Sequence, residues 1–421
     1  MRKIKKHIGA IILLIIVLVF PTSLSNQAKL NMRIIVTGIA VDKVGDEYEV
    51  TAQIVKTSPG SKSGGADAQV DFITDKAPLL SAAVAKLAYK AGKVSAFSHT
   101  NYVILGKSML EENLSASLDY FIRDKIIKNS ALILFSEDSA KDEIKKTKNT
   151  ELSVGIGLQK VFLFKEYESD GIMMTMMDFL NDNKWYSKTA VASTVSLKPN
   201  EEKNKSSSSG SSSESSDGGT SGGSSGGSSG GLSSSSSSSE SESQFFEAFS
   251  PIVCFVDGRF AGKLESDDEI TGYMLANKKA RAVDIDLTAE SEGILFGKKM
   301  EINIKNMRNS YKLRYEGKTP CIDICININN SEINEIITDD IIGTLSDKEF
   351  EGVKTDISNE ISTRISACFM KAKSFGADIF DAYELAYKFH YKKTTEKFKN
   401  PAEFLKNLKL NVQVNVHKLD Y

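Results

Sequence analysis

The sequence predicts a multi-domain α+β protein in which mixed β-sheets carry packed helices. Three observations predict it. Apolar and polar residues alternate in runs such as 47-EYEVTAQIV-55 and 408-LKLNVQVNV-416, the pattern of strands with two different faces. Apolar residues recur at steps of three and four from Phe350 to Phe369, the pattern of one long helix. A tract at 206–243, almost wholly Ser and Gly, divides the chain into two halves. With 421 residues there is length for two or three domains.

The first segment is basic and then apolar. Arg2, Lys3, Lys5 and Lys6 precede 8-IGAIILLIIVLVF-20, the layout of a secretory signal. As a helix this run spans about 20 Å, against roughly 30 Å of bilayer hydrocarbon. Counting on to Leu24 reaches the lower limit for a span, with Pro21 inside it. Two readings of residues 1–28 stay open: a signal peptide cut near Ser23-Leu24-Ser25, or an uncleaved N-terminal membrane anchor. The basic flank keeps the N-terminus cytoplasmic in both.

Residues 29–200 form the first domain. Its opening runs, 34-IIVTGIAVD-42 and 47-EYEVTAQIV-55, are joined by Lys43-Val44-Gly45-Asp46 and predict a hairpin with one buried face. A Gly-rich loop at 58–67 follows. Leu80, Ala83, Val84, Leu87 and Ala88 share one helical face within 77–91, and Gly92 stops the helix. Then come a strand at 102–106, a helix at 108–122, a strand at 131–135 and a helix opened by Ser136. Strands alternating with helices predict a mixed sheet with helices on it. The Met run at 173–177 is soft packing material for a core.

The tract is assigned with its flanks as a disordered linker or loop over 201–245; within 206–243 its charges are Glu214, Asp217, Glu240 and Glu242 and its large apolar residue is Leu232. A free coil over 206–243 would hold its ends roughly 35 Å apart. Residues 246–421 follow, with strands near 252–256, 283–288, 299–305 and 321–328. A helix over 347–374, a shorter one over 379–390 and a closing strand at 408–416 complete the chain.

Little in the sequence points to catalysis. Acidic and basic residues nearly balance, with net charge −2, which argues against nucleic acid as a partner. His7, His99, His390 and His417 stand in no metal-binding spacing, and no nucleophile elbow, P-loop or C-x-x-C is present. No metal or cofactor is expected. Cys321 and Cys325 mimic a metal motif but alternate with isoleucines along a strand. Four residues of strand cover about 13 Å, too far for a disulfide or one shared metal. His99, just before a strand, reads best as a structural histidine hydrogen-bonded to a loop. Arg123-Asp124 reads as an ion pair or cap, and Asp378 and Asp381 as caps of the last helix.

The order of the segments resembles the Ger(x)C family, the C subunit of bacterial spore germinant receptors. The run 35-IVTGIAVDKVGDEYEVTAQIV-55 is similar to the family's first hairpin. The run 99-HTNYVILGKSMLEENLSASLDYFIRD-124 is similar to its His, strand, helix and Arg-Asp pattern, through His99, Gly106, Asp119, Arg123 and Asp124. Gly262, Leu264, Gly272 and Tyr273 in 257–277, and Asp378 in 374-SFGADIFDAYELAY-387, match two later blocks. The resemblance implies three α+β subdomains and a non-enzymatic protein on the extracytoplasmic face of the spore inner membrane. It also implies two integral membrane partners, an A subunit and a permease-like B subunit, in a complex that senses nutrient germinants. The family motif residues His99, Gly106, Arg123, Asp124, Gly262, Gly272 and Asp378 would then be structural or interface positions. The alternative is an exported, membrane-attached solute-binding or adhesive surface protein.

Two departures stand out. Family members carry a lipidated Cys at the end of the signal peptide, but 20-FPTSLSNQAKLN-31 holds no Cys. A retained helix anchors a chain far more firmly than one acyl chain does, so the anchor is the preferred reading of residues 8–24. The Ser/Gly tract is the second departure. It reads as a loop grown between strands near 189–196 and 246–256, because lengthening a flexible loop costs only about 0.6 kcal/mol per doubling.

Overall fold

The computed structural model describes residues 33–55, 70–123, 126–147, 172, 174–197, 246–247, 251–278, 281–337 and 345–421. Residues 1–28 and the Ser/Gly tract lie outside them. Among the described residues no helix is long and apolar enough to cross a membrane.

The first half runs β1 (Arg33–Val44), β2 (Glu47–Val55), β3 (Val70–Ala77), α1 (Leu80–Ala91), β4 (Val94–Ala96), β5 (Tyr102–Leu105), α2 (Leu114–Arg123), β6 (Leu132–Phe135), α3 (Ala140–Lys146), α4 (Met176–Lys184), β7 (Thr189–Ser193) and β8 (Ser196–Leu197). The second runs β9 (Phe246–Glu247), β10 (Ile252–Val256), β11 (Arg259–Leu264), α5 (Asp267–Ala276), β12 (Val283–Thr288), β13 (Lys299–Glu316), β14 (Thr319–Ile337), α6 (Asp347–Ser374), α7 (Ala382–Phe389), α8 (Tyr391–Lys397), α9 (Pro401–Asn407), β15 (Lys409–Val416) and β16 (Leu419–Asp420). Helices and mixed sheets make an α+β fold, as expected.

The first sheet has the order β3-β2-β1-β5-β6, with β4 also beside β1. The β1–β2 and β2–β3 pairs are antiparallel, while β4 and β5 run parallel to β1. Helix α1 lays Leu80, Ala83, Val84 and Leu87 on it and ends where Gly92 turns left-handed at φ 60°. Three expectations need correction. Strand β3 was not foreseen. The helix expected over 108–122 is a short 3₁₀ turn at Lys107–Glu111 followed by α2, because the Leu114 N–H is taken by Gly258 O at 2.8 Å. The helix placed at Ser136 starts at Ala140, where Ser139 accepts from the Asp142 N–H.

The hairpin also differs from a half-buried one. Thr51 and Gln53 are fully buried. Gln53 Oε1 accepts from Thr37 Oγ1 at 2.9 Å and Tyr102 OH at 2.8 Å, and its amide donates to Thr147 Oγ1 at 2.8 Å. A core of Ala40, Tyr102, Ile104, Leu134, Ala140 and Ile144 covers this face, so both faces of the sheet are packed.

The large sheet of the second half, β12-β13-β14-β15, is open on one side. Strands β13 and β14 form one long hairpin turning at Gly317, φ 60°, in place of the two short strands that the sequence predicts near 299–305 and 321–328. Ile322, Ile324, Ile326 and Ile328 point into the core against Val353, Ile357, Ile361, Ile365 and Phe369 of α6. That helix has the expected bounds and a Ser346–Glu349 capping box. The opposite face carries Asp323 and Asn327, which accept from Asn411 and Asn415 of β15, each at 2.9 Å. Cys321 and Cys325 lie on this strand as free thiols. The single helix expected over 379–390 is shorter, and α8 and α9 follow it unforeseen.

Candidate functional site at the seam between the halves

The two halves meet in a third sheet, β11-β10-β7. Strand β7 pairs antiparallel with β10 across the tract, from Ser193↔Ile252 to Thr189↔Val256. Because side chains alternate along a strand, the two faces of this sheet serve different cores. Val253 and Phe255 of β10 and Ala190 and Ala192 of β7 enter the first core. Ile252 and Cys254 of β10, with Val191 of β7, enter the second. Phe255 packs on Phe135 and Phe179 with centroids 4.7 and 5.1 Å away. Strand β8 then pairs with β9, so the strands flanking the tract are neighbours on both sides.

Polar contacts tie the same seam. Asn183 Oδ1 accepts the Gly258 N–H at 2.9 Å, and Lys188 O accepts the Asp257 N–H at 2.8 Å. Thr189 Oγ1 accepts the Asp378 N–H at 3.1 Å. Ser187 Oγ donates to Asp381 Oδ1 at 3.1 Å.

Asp378 is buried, and its carboxylate receives the Ala382 and Tyr383 N–H groups at 3.0 and 2.8 Å. It thus caps α7 from four residues upstream. Burial pushes its carboxyl up to about 7, against the pull of those N–H groups. Asp381 occupies the left-handed region at φ 54° and does not cap the helix with its side chain. Burial raises its carboxyl too, and the Lys278 ammonium counters the rise.

Beside these aspartates a cleft of about 350 Å³ opens between the halves. Met174, Asp178 and Asp182 line it from the first half; Tyr273, Lys278, Tyr311 and Asp381 line it from the second. Tyr311 donates its hydroxyl to Ala276 O, and Lys278 Nζ stands 4.5 Å from the Tyr311 ring centroid. Burial raises the phenols of Tyr273 and Tyr311, which keeps both neutral. Carboxylates, an ammonium and neutral phenols suit the binding of a small polar molecule by charge and hydrogen bonds. Among the described residues no group of three His, Cys, Asp or Glu side chains is placed to hold a metal ion.

Family comparisons tile these halves. The spore germination protein N-terminal domain matches residues 26–197, and the spore germination B3/GerAC-like C-terminal domain matches residues 252–418. The chain belongs to the GerAC-like spore germination family. Its fold is similar to the crystal structure of the GerBC protein, with TM-score 0.51 and 12% identity over 90% of this chain and 96% of that one. No curated protein matches the sequence.

The GerAC-like motif residues are dispersed over this fold. Gly106 passes the Asp42 carboxylate so closely that a Cβ would meet Oδ1 at 1.9 Å. That carboxylate accepts the Ala140 and Lys141 N–H groups at the start of α3. In α5, Gly272 packs on the α6 backbone, where a Cβ would meet Arg364 O at 2.2 Å. Gly262 lies under the Phe375 ring, where a Cβ would meet a ring carbon at 2.5 Å. Arg123 pairs with Asp119 at 3.4 Å one turn back, and Asp124 lies outside the described residues. His99 is exposed on a 3₁₀ turn, with no hydrogen bond of its side chain among the described residues, unlike the loop-bonded histidine expected.

Of the matched positions, Tyr273 lines the cleft and Asp378 sits beside it. Lys278 was missed, since an isolated lysine after a helix carries no local signal. Its partners Tyr311 and Asp381 are far away in sequence.

Proposed function

We propose that this GerAC-like chain is the non-enzymatic C subunit of a nutrient germinant receptor. It works at the extracytoplasmic face of the spore inner membrane, with integral membrane A and permease-like B subunits as partners. The carrying observation is that both family domains match in order and meet in one shared sheet. The lack of a Cys in 20–31 speaks against a lipid there, so either residues 8–24 stay as the anchor or the membrane subunits hold a cleaved chain.

An in-frame deletion tests the proposal. Spores lacking the chain should fail to germinate with particular nutrients while germinating normally with others. Unchanged germination with every nutrient would overturn it. It would favour an exported, membrane-attached solute-binding or adhesive protein, a reading supported by the polar cleft at the seam. The mature N-terminus, read by mass spectrometry on spore membranes, tests attachment. A peptide starting near Met1 supports the anchor, and a start near Asn26 a cleaved signal.

A further inference from the structure

At the corner between α7 and α8, aromatic rings and lysines share one exposed surface. Trp185 meets Tyr186 edge-on at 5.4 Å, Tyr186 stacks on Tyr387 at 4.3 Å, and Tyr387 meets Tyr391 at 4.9 Å. Phe389 is 73% exposed, Tyr391 53% and Trp185 48%. At the same corner, the His390 ring is 5.5 Å from the Tyr315 ring. Lys393 and Lys397 hold their ammonium groups 4.5 and 5.3 Å from the same tyrosine ring.

The lysines here are crowded, and Glu396 is the one carboxylate within α8. Lys388 pairs with Glu384, but Lys392, Lys393 and Lys397 have no carboxylate partner among the described residues. Burial, then Lys393 and Lys318, push the Lys397 ammonium down, so like charges face one another.

We infer that this corner is a membrane-contact surface for anionic lipid: the rings enter the headgroup zone and the lysines meet lipid phosphates. Tyr and Trp favour the membrane–water interface, where one end of the ring is apolar and the other wet. Lysine stems lie along apolar surface and carry their charge outward. A protein-binding patch is depleted of lysine at its centre, whereas here lysines interleave with the rings. The inference rests on the reading of the chain as a membrane-attached subunit.

Trp185 is the chain's sole tryptophan, so intrinsic emission reports this corner directly. The full chain is reconstituted into vesicles of brominated phosphatidylcholine, with or without phosphatidylglycerol. With phosphatidylglycerol, Trp185 emission should be quenched by the bromine and shielded from iodide, and high salt should reverse both. Lys392→Gln/Lys393→Gln/Lys397→Gln should weaken the contact about fivefold per lysine, roughly a hundredfold in all, read as regained iodide access. Circular dichroism checks that this surface variant is folded. Trp185 equally open to iodide in both vesicles, or equally quenched in both, overturns the inference. So does shielding that needs a co-reconstituted membrane protein, which would mark a protein-docking surface. Flotation of the chain with vesicles whose Trp185 stays open would sink the contact surface and leave the attachment standing. Failure of the receptor role itself would show separately, as normal germination of the deletion spores.

Discussion

Strand β2 in the first sheet and strand β14 in the last alternate apolar and polar residues in the same way, yet their polar faces meet different surroundings. In β14 the polar face stays half open: Asp323, Cys325 and Asn327 are only partly buried and bond sideways to β15. In β2 the equivalent residues, Thr51 and Gln53, are sealed under α3 and its neighbours. Period-two patterning therefore tells which residues share a face, and says nothing of what will later cover it. A buried amide needs its hydrogen bonds made, while an open one can bond water instead.

The comparison can be broken or sharpened by substitution. The largest effect is expected where both sheets behave alike, on an apolar face. Ile324→Ala should lower unfolding stability by about 2–5 kcal/mol, measured by urea denaturation. Gln53→Ala should cost about 1–3 kcal/mol, because Thr37, Tyr102 and Thr147 lose a shared partner in a dry site. Asn327→Ala on the open face should change stability by less than about 0.5 kcal/mol. Equal losses from Gln53→Ala and Asn327→Ala would break the contrast between a sealed and an open polar face.

Asp378 extends the contrast to a sealed charge. Burial holds its folded carboxyl at about 7, against the ordinary 3.8 of the unfolded chain, so the folded state holds the proton more tightly. This group therefore contributes stability at low pH that is lost as pH rises from about 4 to 7. Asp378→Asn should flatten that part of the stability profile, followed by denaturant midpoints at several pH values. An unchanged slope would show that the carboxylate stays ionised in the folded state, held by the Ala382 and Tyr383 N–H groups.

What was legible in the sequence follows from range. Helix α6 has its bounds written locally, in the Ser346–Glu349 box and a continuous apolar stripe. The hairpin of β1 and β2 was readable from alternation and a Gly turn. Strand β3 was not, because 70-VDFITDKA-77 carries three charges and pairs only at the sheet's edge. The split of α2 from its 3₁₀ turn depends on Gly258, a residue of the other half. The cleft was hidden for the same reason: Asp182, Lys278, Tyr311 and Asp381 are joined only by the fold. Tyr273 came into view through its neighbour Gly272, whose missing side chain lets α5 settle on α6.

The shared sheet also sets an order of events in time. The first core is incomplete until Val253 and Phe255 have been made, although the family segment around it ends at residue 197. At roughly 5–20 residues per second, synthesis takes about 3–12 s to pass from Ser193 to Ile252. Throughout that interval β7 has a bare edge and an unfilled space where Phe255 will stand, so the newborn first half is a binding site for its own successor and for any other strand that arrives sooner.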